Sequence, residues 1–144
     1  MQINQDNINL LGEFTYRILR LERSIVDRQF ITARGKYVYP DLSLYFKSVL
    51  EVKLKFTDIC EKFPELRKPI QKRLLENGTV VWKDIELESK SALDFLTKIY
   101  AVRDNLFHGS KVLSDKSRDL DLIRESVEFL KMLQVLDEDF EKSL

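Results

Sequence analysis

The sequence predicts an all-α fold, an up-and-down bundle of four long helices plus one short helix, on three observations. Apolar residues recur at three- and four-residue steps through four long windows, the spacing that lines one face of a helix. Only four Gly and three Pro interrupt 144 residues, which argues for long helices and against long disorder. There is neither an internal repeat nor a βαβ alternation, and short links between long helices favour a bundle. A chain of this length fits one domain, residues 1–144.

Leu10, Phe14, Ile18, Leu21 and Ile25 predict a first helix from about residue 6 to about residue 32. Arg17, Arg20, Arg23 and Asp27 occupy its other face, and Arg34-Gly35-Lys36 reads as its end. Pro40-Asp41 suits the first turn of a second helix, whose stripe is Leu42, Tyr45, Phe46, Val49, Phe56, Ile59 and Phe63, stopping near Pro64. A short third helix places Leu66, Ile70 and Leu74 inward, with Asn77-Gly78 as a left-handed cap. Thr79 to Ile85 is either a short extended piece or one helical turn carrying Trp82 and Ile85. From about Ser89 a fourth helix runs through Ala92, Leu96, Ile99, Val102 and Leu106 to Gly109. Ser110 to Ser117 reads as a polar loop. The last helix carries Leu120, Ile123, Val127, Leu130, Leu133 and Leu136, then frays into a solvated acidic end at Asp137-Glu-Asp139.

Hydrophobic residues make up 44% and charged residues 33%, the composition of a soluble globular chain. The opening segment has no basic stretch followed by an apolar one, and no run approaches the roughly 18 apolar residues of a membrane span, so the expectation is a cytoplasmic protein with no membrane partner. The 24 basic residues balance the 24 acidic ones, but residues 1–73 carry 14 against 9 and residues 74–144 carry 10 against 15. Such a chain can bind nucleic acid locally and lacks the basic field of a non-specific binder. Cys60 stands alone beside a single His, which excludes a disulfide framework and a thiol metal site, so neither metal nor cofactor is expected. No Gly-rich phosphate loop supports a nucleotidyl-transfer module.

That single imidazole, His108, lies in Ile99-Tyr-Ala-Val-Arg-Asp-Asn-Leu-Phe-His-Gly-Ser-Lys111, with Arg103 five residues upstream. It is the one side chain that exchanges protons near neutrality without help. On a regular helix five residues separate the pair by roughly 140°, and Gly109 lets the chain leave the helix so that His108 can swing back toward Arg103. An imidazole can take the proton of a ribose 2′-hydroxyl while a guanidinium holds the phosphate, with no metal required. In-line attack leaves a 2′,3′-cyclic phosphate and a free 5′-hydroxyl. One histidine cannot be base and acid in the same step, so a nuclease reading requires an isologous homodimer with two copies of the pair in one cleft. Asp104 would orient the imidazole or steady Arg103, and Asn105 and Lys111 are RNA-binding candidates. The bland alternative is a cationic helix end facing the negative pole of the helix dipole.

The run Leu96 to Lys111 resembles the signature of the HEPN superfamily: an Arg, a polar residue, a few further positions and a His, here followed by Gly and a polar loop leading into a last helix. The likeness is clear over about residues 92 to 136. It implies a four- or five-helix bundle, a dimer, and a metal-independent endoribonuclease of a defence, abortive-infection or toxin system, with RNA as substrate and an antitoxin or defence-complex partner. Arg103 and His108 then take the catalytic positions and Asp104 the polar one, where Asn is the commoner occupant. The superfamily also contains inactive scaffolds, so the alternative is a non-catalytic helical dimer that binds RNA or a partner protein.

Three further groups carry two readings each. Tyr37, Tyr39 and Tyr45 with Arg34 and Lys36 can stack on and neutralise single-stranded RNA, or pack at a bundle end. Arg67, Lys68, Lys72 and Arg73 can track a phosphate backbone or form a solvated face. The acidic tail is a solvated end or a docking site for a basic antitoxin.

Overall fold

In a computed structural model, which describes residues 5–84, 88–107 and 117–143, the chain is mostly helical and carries two small antiparallel hairpins. Helix α1, Gln5–Asp27, buries Phe14, Ile18, Leu21 and Ile25 of the predicted stripe, and partly buries Leu10. It ends earlier than predicted. The Phe30 N–H reaches the Ile25 carbonyl at 3.1 Å and the Gln29 N–H reaches Val26 at 3.0 Å, the paired bonds of a Schellman ending. Gln29 occupies the left-handed position at φ 67°, where a side chain costs roughly 1 kcal/mol. Gln29→Gly is therefore expected to stabilise the fold by about 0.5–1 kcal/mol in urea unfolding, the relief of strain exceeding the added freedom of the unfolded chain.

The segment Arg34-Gly35-Lys36, predicted to end α1, instead turns a hairpin. Strands β1, Ile31–Arg34, and β2, Tyr37–Pro40, pair in register around Gly35, which sits at φ 63° in the first position of a two-residue loop. The Asp41 N–H closes the base on the Phe30 carbonyl at 2.9 Å. Asp41 then caps α2, Leu42–Tyr45, by accepting from the Leu44 N–H at 3.0 Å.

The predicted second long helix is broken. Helix α2 runs into a π-helical turn, Phe46–Leu50, and the chain continues as two single turns, α3, Phe56–Ile59, and α4, Pro64–Arg67. The spacing of the residues that are buried, two of them outside the predicted stripe, explains the break. Leu50, Leu54, Ile59 and Phe63 are all buried, but the five-residue step from Leu54 to Ile59 turns a helix about 140° out of phase. An extended residue at Lys55 restores the inward direction. Helix α4 is pinned at both ends by other elements. Glu125 accepts from the Glu65 and Leu66 N–H groups at 2.9–3.1 Å, while buried Lys98 donates to the Arg67 and Lys68 carbonyls at 3.1 and 2.7 Å.

The short third helix predicted around Leu66, Ile70 and Leu74 is also corrected. Leu66 and Ile70 are buried as expected, but β3, Gln71–Glu76, pairs with β4, Thr79–Asp84, across Asn77-Gly78. Both turn residues have positive φ, 49° and 75°, the arrangement of a type I′ hairpin, so Asn-Gly closes a ribbon here instead of a helix. Of the two readings for residues 79–85, the extended one holds over β4; Ile85 lies outside the described residues.

Helix α5, Ala92–Phe107, opens on a reciprocal cap: the Asp94 N–H bonds Ser91 Oγ at 3.3 Å and the Asp94 carboxylate accepts from the Ser91 N–H at 3.1 Å. Its inward residues Phe95, Leu96, Ile99 and Val102 meet α6, Ser117–Leu136, which buries Leu120, Ile123, Val127, Leu130 and Leu133. The predicted polar loop after α5 falls largely outside the described residues. At the centre Phe95 and Phe129 stack at 6.1 Å, with the Phe63 ring edge-on to both at 6.4 and 5.3 Å. Helix α1 packs along α6, and α4 against α5 and α6.

The acidic end is only partly the solvated tail expected: Glu138, Asp139 and Glu141 are exposed, but the segment is anchored. Asp137 is 3% exposed and Phe140 0%, and α7, Glu138–Ser143, folds back against α1 and α6. Among the described residues no helix is long and apolar enough to cross a membrane.

Candidate functional site

Helical spacing brings Tyr100, Arg103 and Asp104 to one side of α5, three and four residues apart. Arg103 does not point freely into solvent. Its Nη2 lies 3.1 Å from Glu22 Oε2 on α1, and its Nη1 lies 3.0 Å from Asp104 Oδ1. The Arg103 side chain is 23% exposed and that of Glu22 27%, although Arg103 Nε and Glu22 Oε2 are themselves buried, whereas Asp104 at 55% faces outward.

Tyr100 lies within the field of the same cluster. Its hydroxyl is buried and meets no hydrogen-bond partner among the described residues. Burial raises its pKa, the negative charge of Glu22 adds to the rise, and Arg103 opposes it without cancelling it. The phenol is therefore a protonated donor at any physiological pH.

The sequence-derived candidates divide three ways. Arg103 and Asp104 are brought together. Asn105 follows on α5, about 200° round the helix from Arg103, and is half-buried. His108 and Lys111 lie outside the described residues. Glu22 and Tyr100 were missed. Tyr100 could have been found from its three-residue spacing to Arg103, but nothing in the linear sequence joins Glu22 to α5.

The remaining candidates separate as well. Tyr37 and Tyr39 are exposed, but Tyr45 is fully buried and donates to Asp137 at 2.6 Å, so it belongs to the core. Arg67 ends α4 and Lys68 follows it, each beside a carboxylate, Glu88 and Glu65, both at 3.1 Å. Lys72 and Arg73 fall in β3, so the four do not form the single helical face the sequence suggested.

Chemically, the Glu22–Arg103–Asp104 arrangement holds a guanidinium in a defined direction, with carboxylates where an anion would dock. A phosphate arriving there exchanges for a carboxylate instead of meeting a bare cation. No family model matches the chain, and no curated protein or solved structure matches it either.

Proposed function

We propose that the chain is a HEPN-type, metal-independent endoribonuclease of a defence, abortive-infection or toxin system. It acts in the cytoplasm as a homodimer, each protomer an up-and-down bundle built on α1, α5 and α6. The observation that carries this reading is Arg103 on the penultimate turn of α5, oriented by Glu22 and Asp104 and still partly exposed. His108 follows α5 directly in the chain, at the end of the motif. In this reading Arg103 stabilises charge on the scissile phosphate and His108 moves the proton. Asp104 positions Arg103, Glu22 holds its other side until RNA displaces it, and Asn105 and Lys111 add contacts to the RNA backbone.

One observation favours the non-catalytic alternative, a helical dimer that binds RNA or a partner protein, whether an antitoxin or a defence complex: two carboxylates already neutralise Arg103. Incubation of single-stranded RNA with purified protein in EDTA separates the two. Cleavage to 2′,3′-cyclic phosphate ends by wild type, and its loss in both Arg103→Ala and His108→Ala, is expected. Equal activity in all three proteins would remove the catalytic assignment.

A further inference from the structure

We propose that the β1–β2 hairpin is a binding arm for single-stranded RNA, in which Tyr37 and Tyr39 stack on bases and Arg34 and Lys36 contact phosphates. The inference rests on the nuclease reading for the choice of RNA over DNA, and on the hairpin itself for everything else.

Strand alternation builds the platform. Arg34 pairs with Tyr37 and Thr32 with Tyr39, so with a side-chain period of two these four residues share one face of the ribbon. Both rings are open, Tyr37 at 62% and Tyr39 at 48%. Same-face neighbours along a strand stand roughly 6.7 Å apart, so each ring can take its own base. Any base offers a π-face, whereas a duplex hides its base faces from such a platform.

The charges select a polyanion. From Arg28 to Pro40 the chain carries three cations and no carboxylate. Arg28 is spent on Asp137, but Arg34 and Lys36 form no ion pair among the described residues and lie over the rings instead. Arg34 Cζ is 5.8 Å from the Tyr39 centroid and Lys36 Nζ is 6.0 Å from that of Tyr37. The acid at the hairpin base, Asp41, is occupied: one oxygen accepts from the Leu44 N–H and the other from the Thr32 hydroxyl, at 3.0 and 2.9 Å. Unpaired cations stacked on exposed tyrosines complement a single strand better than an apolar protein surface does, and they outnumber the one carboxylate at the hairpin base, Asp41. The arm also leaves α1 just beyond Glu22, which lies roughly 8 Å along the helix axis from its last residue, so one strand can reach both the arm and Arg103.

The test is anisotropy of a fluorescein-labelled 2′-O-methyl oligouridine, which lacks the free 2′-hydroxyl that cleavage would consume. Wild type is expected to bind the single strand and to bind its annealed duplex far more weakly. Tyr37→Ala/Tyr39→Ala should weaken binding at least about tenfold, and Tyr37→Phe/Tyr39→Phe should keep it. Arg34→Ala/Lys36→Ala should weaken it and lower the salt slope by about 1.4, two single-strand phosphate contacts. If the alanine pair of the tyrosines loses its circular dichroism, the Arg34→Ala/Lys36→Ala protein decides alone. Unchanged affinity in the hairpin variants, equal affinity for the duplex, or no binding by wild type each overturns the arm. RNA cleavage by wild type with unchanged hairpin variants would sink the arm and leave the nuclease standing. Hairpin-dependent binding without cleavage would do the reverse.

Discussion

Asp137→Ala is expected to destabilise the protein by about 3–5 kcal/mol, the cost of stripping one partner from a buried ion pair. Arg28 grips both carboxylate oxygens at 3.0 and 2.9 Å, and the Tyr45 hydroxyl donates to the same group at 2.6 Å. Asp137 also accepts from the Phe140 N–H at 3.3 Å, starting α7. One carboxylate thus ties the end of α1, the end of α2 and the α6–α7 junction. Removing it takes the bidentate partner from an arginine side chain only 20% exposed, which keeps the Ser24 carbonyl at 3.1 Å and Asp139 at 3.8 Å, and takes the acceptor from a buried phenol. Tyr45→Phe removes one hydrogen bond and should cost about 1–2 kcal/mol. Urea unfolding at neutral pH measures both, and an Asp137→Ala cost below about 1 kcal/mol would show the pair to behave like a surface bridge.

The same network sets a pH dependence. Burial by itself would raise the Asp137 pKa, but the hydrogen bonds from Arg28 and Tyr45 and the charge of Arg28 outweigh it and hold the carboxyl below its ordinary value. A carboxylate depressed on folding contributes stability that is complete above its unfolded pKa and is lost as pH falls through the folded one. Wild type should therefore lose more stability on acidification than Asp137→Ala does.

That network was illegible in the sequence for a physical reason. Asp137 follows the last residue of a long apolar stripe and is flanked by Glu138 and Asp139, a pattern that reads as solvated. Its burial depends on Arg28, more than a hundred residues away. The long helices α1, α5 and α6 were legible because a buried face imposes its period locally. The hairpin turns were not, since Arg34-Gly35-Lys36 and Asn77-Gly78 serve equally as helix ends and only the pairing across them decides, although the β-rich run from Thr79 offered an extended piece as one of its two readings. The break between α2 and α3 was legible in principle, in the five-residue slip from Leu54 to Ile59. At the site, Arg103 and Asp104 are local to one helix and were found; Glu22 is joined to them only by the fold.

For the proposed nuclease, Arg103→Ala should lower RNA cleavage about 10²–10³-fold, as loss of a preorganised cationic donor does, and His108→Ala about 10²–10⁴-fold. These losses alone do not distinguish one complete site per chain from a shared one. The chemistry does. Attack of the 2′-oxygen needs a base, departure of the 5′-oxygen needs an acid, and the chain has one imidazole to serve both. If two His108 copies meet across a two-fold axis, a dimer of one wild-type and one His108→Ala chain lacks half of the pair. After equimolar mixing and subunit exchange only about one quarter of dimers are wild type on both sides, so cleavage should fall to about a quarter of that given by wild type at the same total chain concentration. A fall only to about half would mean that each chain carries a complete acid–base set.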